Sequence, residues 1–256
     1  MIPIRHHHPM TPLPLVTYAL IALNSGLFLA YWPLASDAEA LHLLHRWGLV
    51  PARLSSGEGW VGLLSAPFLH AGWLHLGGNM LFLWIFGDTL EEELGRIRFL
   101  ALYLACGLLG GLVHWVAAPG STVPVVGASG AVAGVLGASM LLFPRARVDV
   151  LLWYVVGFRI IILPAWLLLG LWLALQLWGG LSQPPGGAGV AFWAHAGGFV
   201  AGAALCLRHW RARGGYHFWR RFRSFPPQPG AQGAIPVVRR PGVTLPPLQR
   251  GPFHRE

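Results

Sequence analysis

Apolar residues along this chain fall into six long runs, separated by charged, Pro-rich or Gly-rich segments. Several runs are a little shorter than the ~20 residues of a full membrane span, and small residues recur inside them, as they do where helices pack closely. The runs cover approximately residues 15–32, 74–87, 99–118, 129–143, 161–178 and 190–207. This pattern predicts an all-α membrane protein built as a bundle of six transmembrane helices.

Charge is scarce in this chain, and its scarcity excludes an ordinary soluble domain. Only 11% of the residues are charged and 55% are hydrophobic, whereas a globular domain carries roughly 25% charged residues. The two cysteines, Cys106 and Cys206, lie in apolar runs, where single thiols usually behave as small apolar side chains. We therefore expect a membrane protein whose cysteines form neither a disulfide nor a metal site.

The arginines predict how the chain is oriented in the membrane. If the N-terminus is cytoplasmic, the segments with Arg96, Arg145 and all residues from Arg208 onward face the cytoplasm, while the outside loops 119–126 and 179–189 carry no charge. This distribution follows the positive-inside rule. We therefore predict that both the N-terminus and the C-terminus are cytoplasmic.

Three regions follow from this pattern. Residues 1–11 form a cytoplasmic N-terminus, residues 12–207 the membrane domain, and residues 208–256 a cytoplasmic tail. The tail begins as a basic and aromatic stretch, which we expect to lie on the anionic cytoplasmic leaflet of the lipid bilayer. It continues as a Pro- and Gly-rich segment that should be largely disordered. Binding of nucleic acid by the tail is the disfavoured alternative.

Two segments near the N-terminus carry alternative interpretations. Arg5, the first apolar run and Ala38-Glu39-Ala40 could form a signal peptide with a cleavage site, but the run exceeds the usual 7–15-residue core and contains Asn24. The triplet His6-His7-His8 could bind a metal, but no second cluster stands at ligand spacing. We favour a retained first span, with no metal and no cofactor.

A serine opens the fourth apolar run, in the sequence Gly127-Ala128-Ser129-Gly130. Glycines at positions 130, 134 and 137 give this run one smooth helix face for contact with a neighbouring helix. On such a face, Ser129 is most simply one more small packing residue. Its hydroxyl becomes a useful nucleophile only if a base lies beside it.

A lone histidine in the sixth run, His195, changes the interpretation of Ser129. On a helix His195 shares a face with Gly198 and Gly202, where the absence of side chains lets another helix approach. An imidazole in apolar surroundings stays neutral and able to accept a proton. His195 is therefore a candidate general base for Ser129, and a histidine bonded to a backbone carbonyl is the alternative.

The second run contributes His75 and Asn79, which lie one helical turn apart on the same face. Attack on a peptide carbonyl places negative charge on its oxygen, which N–H donors stabilise. The side chains of His75 and Asn79, together with the backbone N–H of Ser129, could supply such donors. Structural hydrogen bonding between helices is the alternative role for either side chain.

The predicted spans lack the carboxylate that completes many serine-protease sites. No Asp or Glu lies in the middle of any of the six runs, so the third, orienting member of a Ser-His-Asp triad has no candidate. We therefore expect a Ser-His dyad whose histidine is held by packing or by a backbone group.

Taken together, these motifs resemble the rhomboid family of intramembrane serine proteases, over roughly residues 12–207. Four motifs stand in the order and at the places that the family shows. They are His70-X4-His75-X3-Asn79, Gly87-X3-Glu91-X3-Gly95, Gly127-Ala128-Ser129-Gly130 and Ala194-His195-X2-Gly198-X3-Gly202. The resemblance implies a six-transmembrane-helix, rhomboid-like bundle.

The resemblance also implies a role for each motif residue. Ser129 would be the nucleophile and His195 its general base. The oxyanion hole would be formed by His75, Asn79 and the N–H of Ser129. His70 would brace the first loop, and Glu91 would cap or bond the cytoplasmic ends of helices. The structural glycines of the motifs would be Gly127, Gly130, Gly198 and Gly202.

This chain departs from the family pattern at two positions. Trp60 is followed by Val61, where the family commonly has a Trp-Arg pair. Ala133 stands four residues after the serine, where an aromatic residue is common, so a ring that would stack on the histidine is absent there. Both differences concern loop rigidity and substrate preference rather than the dyad.

The sequence therefore predicts an intramembrane serine endopeptidase that hydrolyses peptide bonds in or near transmembrane segments of membrane proteins. The alternative is a catalytically inactive rhomboid-like protein that binds membrane clients. A small channel or transporter is disfavoured, because no charged residues mark an internal path. Family members without added domains are typically prokaryotic, so we expect a prokaryotic plasma (inner) membrane.

Overall fold

Six long helices form a bundle in the part of the chain that the structure, a computed structural model, describes. The described residues are 2–6, 13–32, 36–154, 157–182 and 191–221. The six helices are α1 (Leu15–Tyr31), α5 (Trp73–Leu94), α6 (Arg96–Ala117), α7 (Ser129–Leu142), α8 (Ala165–Ser182) and α9 (Phe192–Ala212). Each predicted apolar run overlaps one of them, so the predicted six-helix bundle is confirmed.

Length and hydropathy separate these helices. Among the described residues, α6 and α8 are long and apolar enough to cross a membrane, while α1 and α7 are apolar but shorter. Helix α7 is almost wholly buried from Gly130 to Leu142, whereas only three residues of α8 are buried, all of them in its first five. Helix α7 is therefore the centre of the bundle, and α8 lies at its edge.

Glycine brings α7 and α9 into backbone contact. A Cβ atom at Gly202 would overlap the carbonyl oxygen of Gly134, and one at Gly198 would overlap the carbonyl oxygen of Gly130. From the other side, a Cβ atom at Gly137 would overlap the backbone of Phe199. Small residues permit this spacing because they leave no side chain between the two backbones.

A buried carboxylate joins α5 to the start of α1. Glu91 is 3% exposed, and its side chain accepts hydrogen bonds from the N–H groups of Val16 (3.0 Å) and Thr17 (2.7 Å) and from the Thr17 hydroxyl (2.8 Å). The first N–H groups of a helix have no partner within the helix, and a negative charge at that end is favourable. Glu91 thus caps α1 from a distant part of the chain.

A second carboxylate ties α5 to the end of α9. Glu93 accepts two hydrogen bonds from the guanidinium of Arg213, both of 2.7 Å, and lies 2.7 Å from His209 Nε2. A guanidinium that meets a carboxylate through two parallel bonds has a defined geometry. The C-terminal ends of α5 and α9 therefore lie together, at the same end of the bundle as Glu91.

The long loop between α1 and α5 is mostly helical. It consists of α2 (Asp37–Trp47), α3 (Pro51–Ser55), α4 (Val61–Ser65) and a short 3-10 helix (Ala66–Phe68). Its buried residues Leu49, Leu54, Leu63 and Ala66 form a small core of their own that packs against α6. Leu49 also pairs with Val125 through backbone hydrogen bonds of 3.0 and 2.7 Å, which fixes the loop beside the segment that precedes α7.

A three-stranded antiparallel sheet accompanies the helices, and the sequence interpretation missed it. Its strands are β1 (Ile2–His6), β2 (Arg147–Tyr154) and β3 (Gly157–Pro164), in the order β1-β2-β3. Val148 and Val150 are fully buried and alternate with Arg147 and Asp149, which is the period of a strand with one covered face.

The prediction that the fifth span begins at residue 161 was therefore wrong. Residues 160–163 are Ile-Ile-Ile-Leu and belong to β3, which pairs with β2 from Arg147 to Tyr154. A short apolar run does not distinguish a strand from a helix by its periodicity, and the β-branched isoleucines favour the strand. The helix begins only after Pro164, at Ala165.

The terminal regions also differ from the expected boundaries. Part of the predicted N-terminal region, residues 2–6, forms β1, and α9 continues to Ala212, five residues past the predicted end of the membrane domain. A short helix, α10 (Tyr216–Arg221), follows. The predicted disordered tail from residue 222 onward, and His7 and His8 of the histidine triplet, lie outside the described residues.

The contact between α7 and α9 predicts a large cost for a single methyl group. We expect Gly202→Ala to lower the free energy of unfolding by about 1–3 kcal/mol, the usual cost of overpacking, because the added Cβ meets backbone and not a flexible side chain. Gly170→Ala on α8 is the matched control, since a Cβ there has nothing within 4 Å. Thermal unfolding in detergent, followed with a thiol-reactive dye that reports the buried cysteines, measures both. Equal midpoints for the two variants would contradict this packing.

The cap on α1 gives a second expected outcome. Glu91→Gln replaces a charged acceptor of three hydrogen bonds by a neutral amide, and we expect a loss of about 1.5–3 kcal/mol, the range for hydrogen bonds to a charged group. Glu58→Gln makes the same chemical change at an exposed position and should leave stability unchanged. The same unfolding assay applies, and a Glu91→Gln protein as stable as the Glu58→Gln protein would show that the cap contributes nothing.

Candidate active site

Ser129 and His195 meet where the N-terminal ends of α7 and α9 come together. Ser129 is the first residue of α7 and His195 lies in the first turn of α9. The Ser129 Oγ atom lies 2.7 Å from His195 Nε2, within hydrogen-bond distance. The glycine contacts between the two helices begin at Gly198 and Gly130, directly beside this pair.

The second ring nitrogen of His195 has a side-chain partner. His195 Nδ1 lies 2.8 Å from Gln176 Oε1, and the indole of Trp172 lies against the imidazole with ring centroids 5.9 Å apart. Both partners belong to α8. The expectation was that packing or a backbone group holds the histidine; Trp172 supplies packing, and a side-chain amide, which was not expected, bonds the ring. Ala133 provides no ring to stack on the histidine, and the indole of Trp172 packs against the imidazole instead.

His75 and Asn79 lie in the N-terminal half of α5, beside Ser129 and His195. The Asn79 side-chain amide donates to the His75 carbonyl oxygen at 3.0 Å, and the N–H of Ala71 donates to His75 Nδ1 at 3.5 Å. An asparagine amide carries two N–H donors, so one bond does not exhaust it. Both residues line the same cavity as Ser129 and His195.

Gly127 is required by both backbone conformation and space. Its φ of 118° lies in a region that side chains rarely adopt, and a Cβ there would press against the His75 ring. The glycine therefore allows the chain before Ser129 to pass close to His75.

The start of α7 presents unpaired backbone donors at the site. The first intrahelical bond of α7 runs from the N–H of Val132 to the carbonyl of Ala128. The N–H groups of Ser129 and Gly130 precede it, so they have no acceptor within the helix. They also stand at the positive end of the helix dipole. Negative charge beside Ser129 Oγ is therefore favoured.

His70 connects three segments around the site. It is fully buried, its backbone N–H donates to the Tyr31 hydroxyl at 2.7 Å, and its carbonyl accepts from that hydroxyl at 2.6 Å. Its Nε2 atom accepts from the N–H of Ala128 at 3.4 Å. Burial, with a smaller contribution from nearby His75, lowers the pKa of His70 to about 3, so the ring is a neutral acceptor at physiological pH. His70 thus joins α1, the first loop and the segment before Ser129.

The four polar residues share one cavity. Ser129, His195, His75 and Asn79 line a space of about 550 Å³. Most of the remaining wall is apolar, with contributions from Leu74, Phe82, Leu136 and Trp172. A cavity of this size and character accommodates a short peptide segment and water, and its polar groups stand together at one side.

Sequence reasoning missed polar residues at and beside this cavity. His114 lines the cavity, and Gln176 bonds to His195 from α8. Gln176 is the only amide in the fifth apolar run, and His114 is the only histidine in the third. A polar side chain within an apolar span is by itself a signal of function, and that signal was available for both.

Two of the predicted residues lie away from the cavity. Glu91 is at the opposite end of α5, and Gly202 is two helical turns from His195.

The part of the chain that the structure describes contains no group of three His, Cys, Asp or Glu residues that could hold a metal ion. Cys106 and Cys206 are both free and buried. Within these residues, the polar side chains that line the cavity are one amide, Asn79, two hydroxyls, Ser121 and Ser129, and three imidazoles, His75, His114 and His195.

Comparison with known proteins gives a family match. The Rhomboid domain matches residues 57–212, which is well over half of the chain. This region begins in the first loop and ends with α9, so it contains Ser129, His195, His75 and Asn79.

Several curated proteins are similar to this chain. The chain is 37% identical to "Rhomboid-like protein 11, chloroplastic" of Arabidopsis thaliana over 123 residues, which are 48% of this chain and 40% of that protein. It is 33% identical to "Rhomboid protein 1, mitochondrial" of Saccharomyces cerevisiae over 137 residues, 52% of this chain and 38% of that protein. It is 36% identical to "Rhomboid protease GluP" of Bacillus subtilis over 125 residues, 49% of this chain and 24% of that protein.

The chain therefore aligns with less than half the length of each of these relatives. They include chloroplastic, mitochondrial and bacterial proteins, so they support a membrane protein without selecting the predicted prokaryotic plasma membrane. One of them is named a protease, one a rhomboid protein and one a rhomboid-like protein. The domain match and these relatives show that the chain belongs to the rhomboid family of membrane proteins, which includes serine proteases.

Proposed function

We propose that this chain is an intramembrane serine endopeptidase that cleaves other membrane proteins with a Ser129-His195 dyad. The observation that carries the proposal is the 2.7 Å contact between Ser129 Oγ and His195 Nε2 inside a cavity that His75 and Asn79 also line. A nucleophile, a base within hydrogen-bond reach and nearby N–H donors are the three components of acyl transfer. Family membership supports the same reading, because the family includes serine proteases.

In the first step, Ser129 Oγ attacks the carbonyl carbon of the scissile peptide bond. His195 Nε2 takes the hydroxyl proton as the new C–O bond forms. The C–N bond then breaks, and His195 returns that proton to the leaving amine. The product is an acyl-enzyme ester on Ser129 and a free N-terminal amine on the released segment.

In the second step, a water molecule from the cavity hydrolyses the ester. His195 Nε2 takes a proton from this water as its oxygen attacks the acyl carbon. The proton then passes to Ser129 Oγ as the ester bond breaks. Hydrolysis in a bilayer therefore requires a cavity that admits water, and the 550 Å³ space beside the dyad supplies one.

Both steps place a negative charge on the former carbonyl oxygen. The donors for it are the backbone N–H of Ser129, the Asn79 amide and the His75 ring. Removing one donor of this type typically costs about 10²–10³ in kcat, because the donors are fixed before the reaction begins.

Orientation and substrate follow from the position of the dyad. The arginines of the inside loops support an orientation in which the Glu93–Arg213 end of the bundle faces the cytoplasmic, anionic leaflet. The dyad then lies toward the extracytoplasmic end. Substrates are transmembrane proteins cleaved near that face, at small, helix-destabilising residues, since a helical backbone keeps its carbonyls bonded.

Labelling with a fluorophosphonate probe tests the dyad. The probe forms a covalent bond with an activated serine, so we expect labelling of the wild type and loss of labelling, by at least about 10²-fold, in Ser129→Ala and His195→Ala. Ser139→Ala is the matched control, because Ser139 lies on the same helix and is buried. It should label like the wild type.

Equal labelling of the wild type, Ser129→Ala and His195→Ala would reject the proposal. A wild type that is folded and unlabelled would instead favour the inactive, client-binding alternative. Size-exclusion profiles in detergent should accompany the labelling, so that a misfolded variant is recognised.

The proposed role of Asn79 as an oxyanion donor predicts a lower kcat with little change in KM. Asn79→Ala should lower kcat toward a transmembrane model peptide by about 10²-fold, with a small change in KM, because the bond is made mainly in the transition state. Asn24→Ala removes the only other asparagine, which is buried in α1 and donates to the Leu20 carbonyl at 2.8 Å. This control should lose stability and keep its kcat, and a matching fall in kcat would argue against a specific role for Asn79.

A further inference from the structure

We propose that Gln176 is the positioning residue of the dyad: its side-chain oxygen holds His195 in the tautomer whose Nε2 accepts the Ser129 proton. This inference rests on the proposed function. It starts from one contact, the 2.8 Å distance between Gln176 Oε1 and His195 Nδ1. The sequence offers no carboxylate in the middle of any predicted span, so the role that an aspartate has in a triad falls to a neutral amide.

The orientation of the amide follows from its second hydrogen bond. Gln176 Nε2 donates to the backbone carbonyl of Trp172 at 3.3 Å. A carbonyl oxygen only accepts hydrogen bonds, so the NH₂ end of the amide faces it and the Oε1 end faces the histidine. The opposite orientation would place two oxygens in contact at Trp172 and would lose this bond.

The orientation of the amide determines the position of the proton on His195. Gln176 Oε1 can only accept, so His195 Nδ1 carries the hydrogen and donates it. In the neutral ring, Nε2 then has a free lone pair, and this atom lies 2.7 Å from Ser129 Oγ. A chain of three hydrogen bonds thus runs from the Trp172 carbonyl through the Gln176 amide and the His195 ring to the Ser129 hydroxyl.

Helix α8 holds the ring from two directions. Trp172 and Gln176 are four residues apart and therefore share one face of the helix. The indole of Trp172 lies against the imidazole at 32°, and the amide bonds its edge. The two contacts restrict the tilt and the rotation of the ring, which are the motions that would separate Nε2 from Ser129.

An amide also suits the apolar surroundings better than a carboxylate. A charged side chain is costly at membrane depth, whereas an amide bonded at both ends is satisfied. The amide fixes geometry and tautomer without a negative charge to stabilise the imidazolium.

Three variants of the full chain in detergent separate these roles. Gln176→Met keeps the length of the side chain and removes the acceptor, and Gln176→Glu keeps an acceptor and adds charge. Leu175→Met is the control, because Leu175 is a neighbour on α8 that is 57% exposed. The readouts are the rate of fluorophosphonate labelling from pH 5 to 9, the thermal midpoint, and kcat and KM for a model transmembrane peptide.

We expect Gln176→Met to label and turn over about 10- to 100-fold more slowly than the wild type, the usual effect of losing an orienting partner. Its KM and thermal midpoint should match those of Leu175→Met. Gln176→Glu should recover most of the rate at high pH. Its acidic limb should move to higher pH by about one unit or more, because a carboxylate favours the protonated ring.

Wild-type rates in Gln176→Met would overturn the inference while leaving the dyad intact. Equal losses in Gln176→Met and Gln176→Glu at every pH, with both proteins folded, would also overturn it, because the acceptor would then have no effect. If Gln176→Met does not fold, an acidic limb of Gln176→Glu that coincides with that of the wild type overturns it. A folded wild type that is not labelled at any pH rejects the proposed function itself.

Discussion

The close contact between α7 and α9 is the constraint on which the candidate site depends. The backbones touch at glycine, where Gly198 and Gly202 face the carbonyl oxygens of Gly130 and Gly134. Ser129 and His195 occupy the N-terminal ends of these two helices, so the helix spacing sets the distance between hydroxyl and imidazole. A wider spacing would separate the Ser129 hydroxyl from the His195 imidazole without changing either residue. The geometry of the candidate site therefore depends on glycines, because their lack of a side chain lets the two helices touch.

Polar groups around this contact are supported by segments far away in the sequence. Glu91 bonds to α1 across about 75 residues, and His70 joins Tyr31 to the N–H of Ala128. Gln176 reaches His195 from a third helix. In apolar surroundings an unpaired polar group is costly, so each of these groups resists movement of the helix that carries it. The same bonds that satisfy them also fix the order of the bundle.

Much of this arrangement was predictable from the sequence. The six apolar runs located the six long helices, and the polar residues inside them identified Ser129, His195, His75 and Asn79, which the structure brings to one cavity. The sheet was not predicted, because its apolar residues at 160–163 join directly to the apolar start of α8. A strand is recognised there only by its pairing with β2, which is a long-range property.

Gln176 was missed for a different reason. One amide in an apolar helix has no spacing motif, and its meaning depends on which way the helix faces. The sequence predicted that no ring would stack on the histidine from position 133, and Trp172 supplies a ring from another helix. The sequence around Ala133 does not show that a residue on another helix supplies the ring. That contact becomes apparent only when the packing of the helices is known.

The position of α8 at the edge of the bundle has one more consequence. Its 18 residues extend about 27 Å, close to the ~30 Å hydrocarbon core of a typical bilayer, and Leu175 and Leu181 on it are more than half exposed. Transmembrane helices accommodate a change in bilayer thickness by tilting. The same helix carries Gln176 and Trp172, the two partners of the His195 ring. A change in the tilt of α8 would therefore move both partners relative to the imidazole.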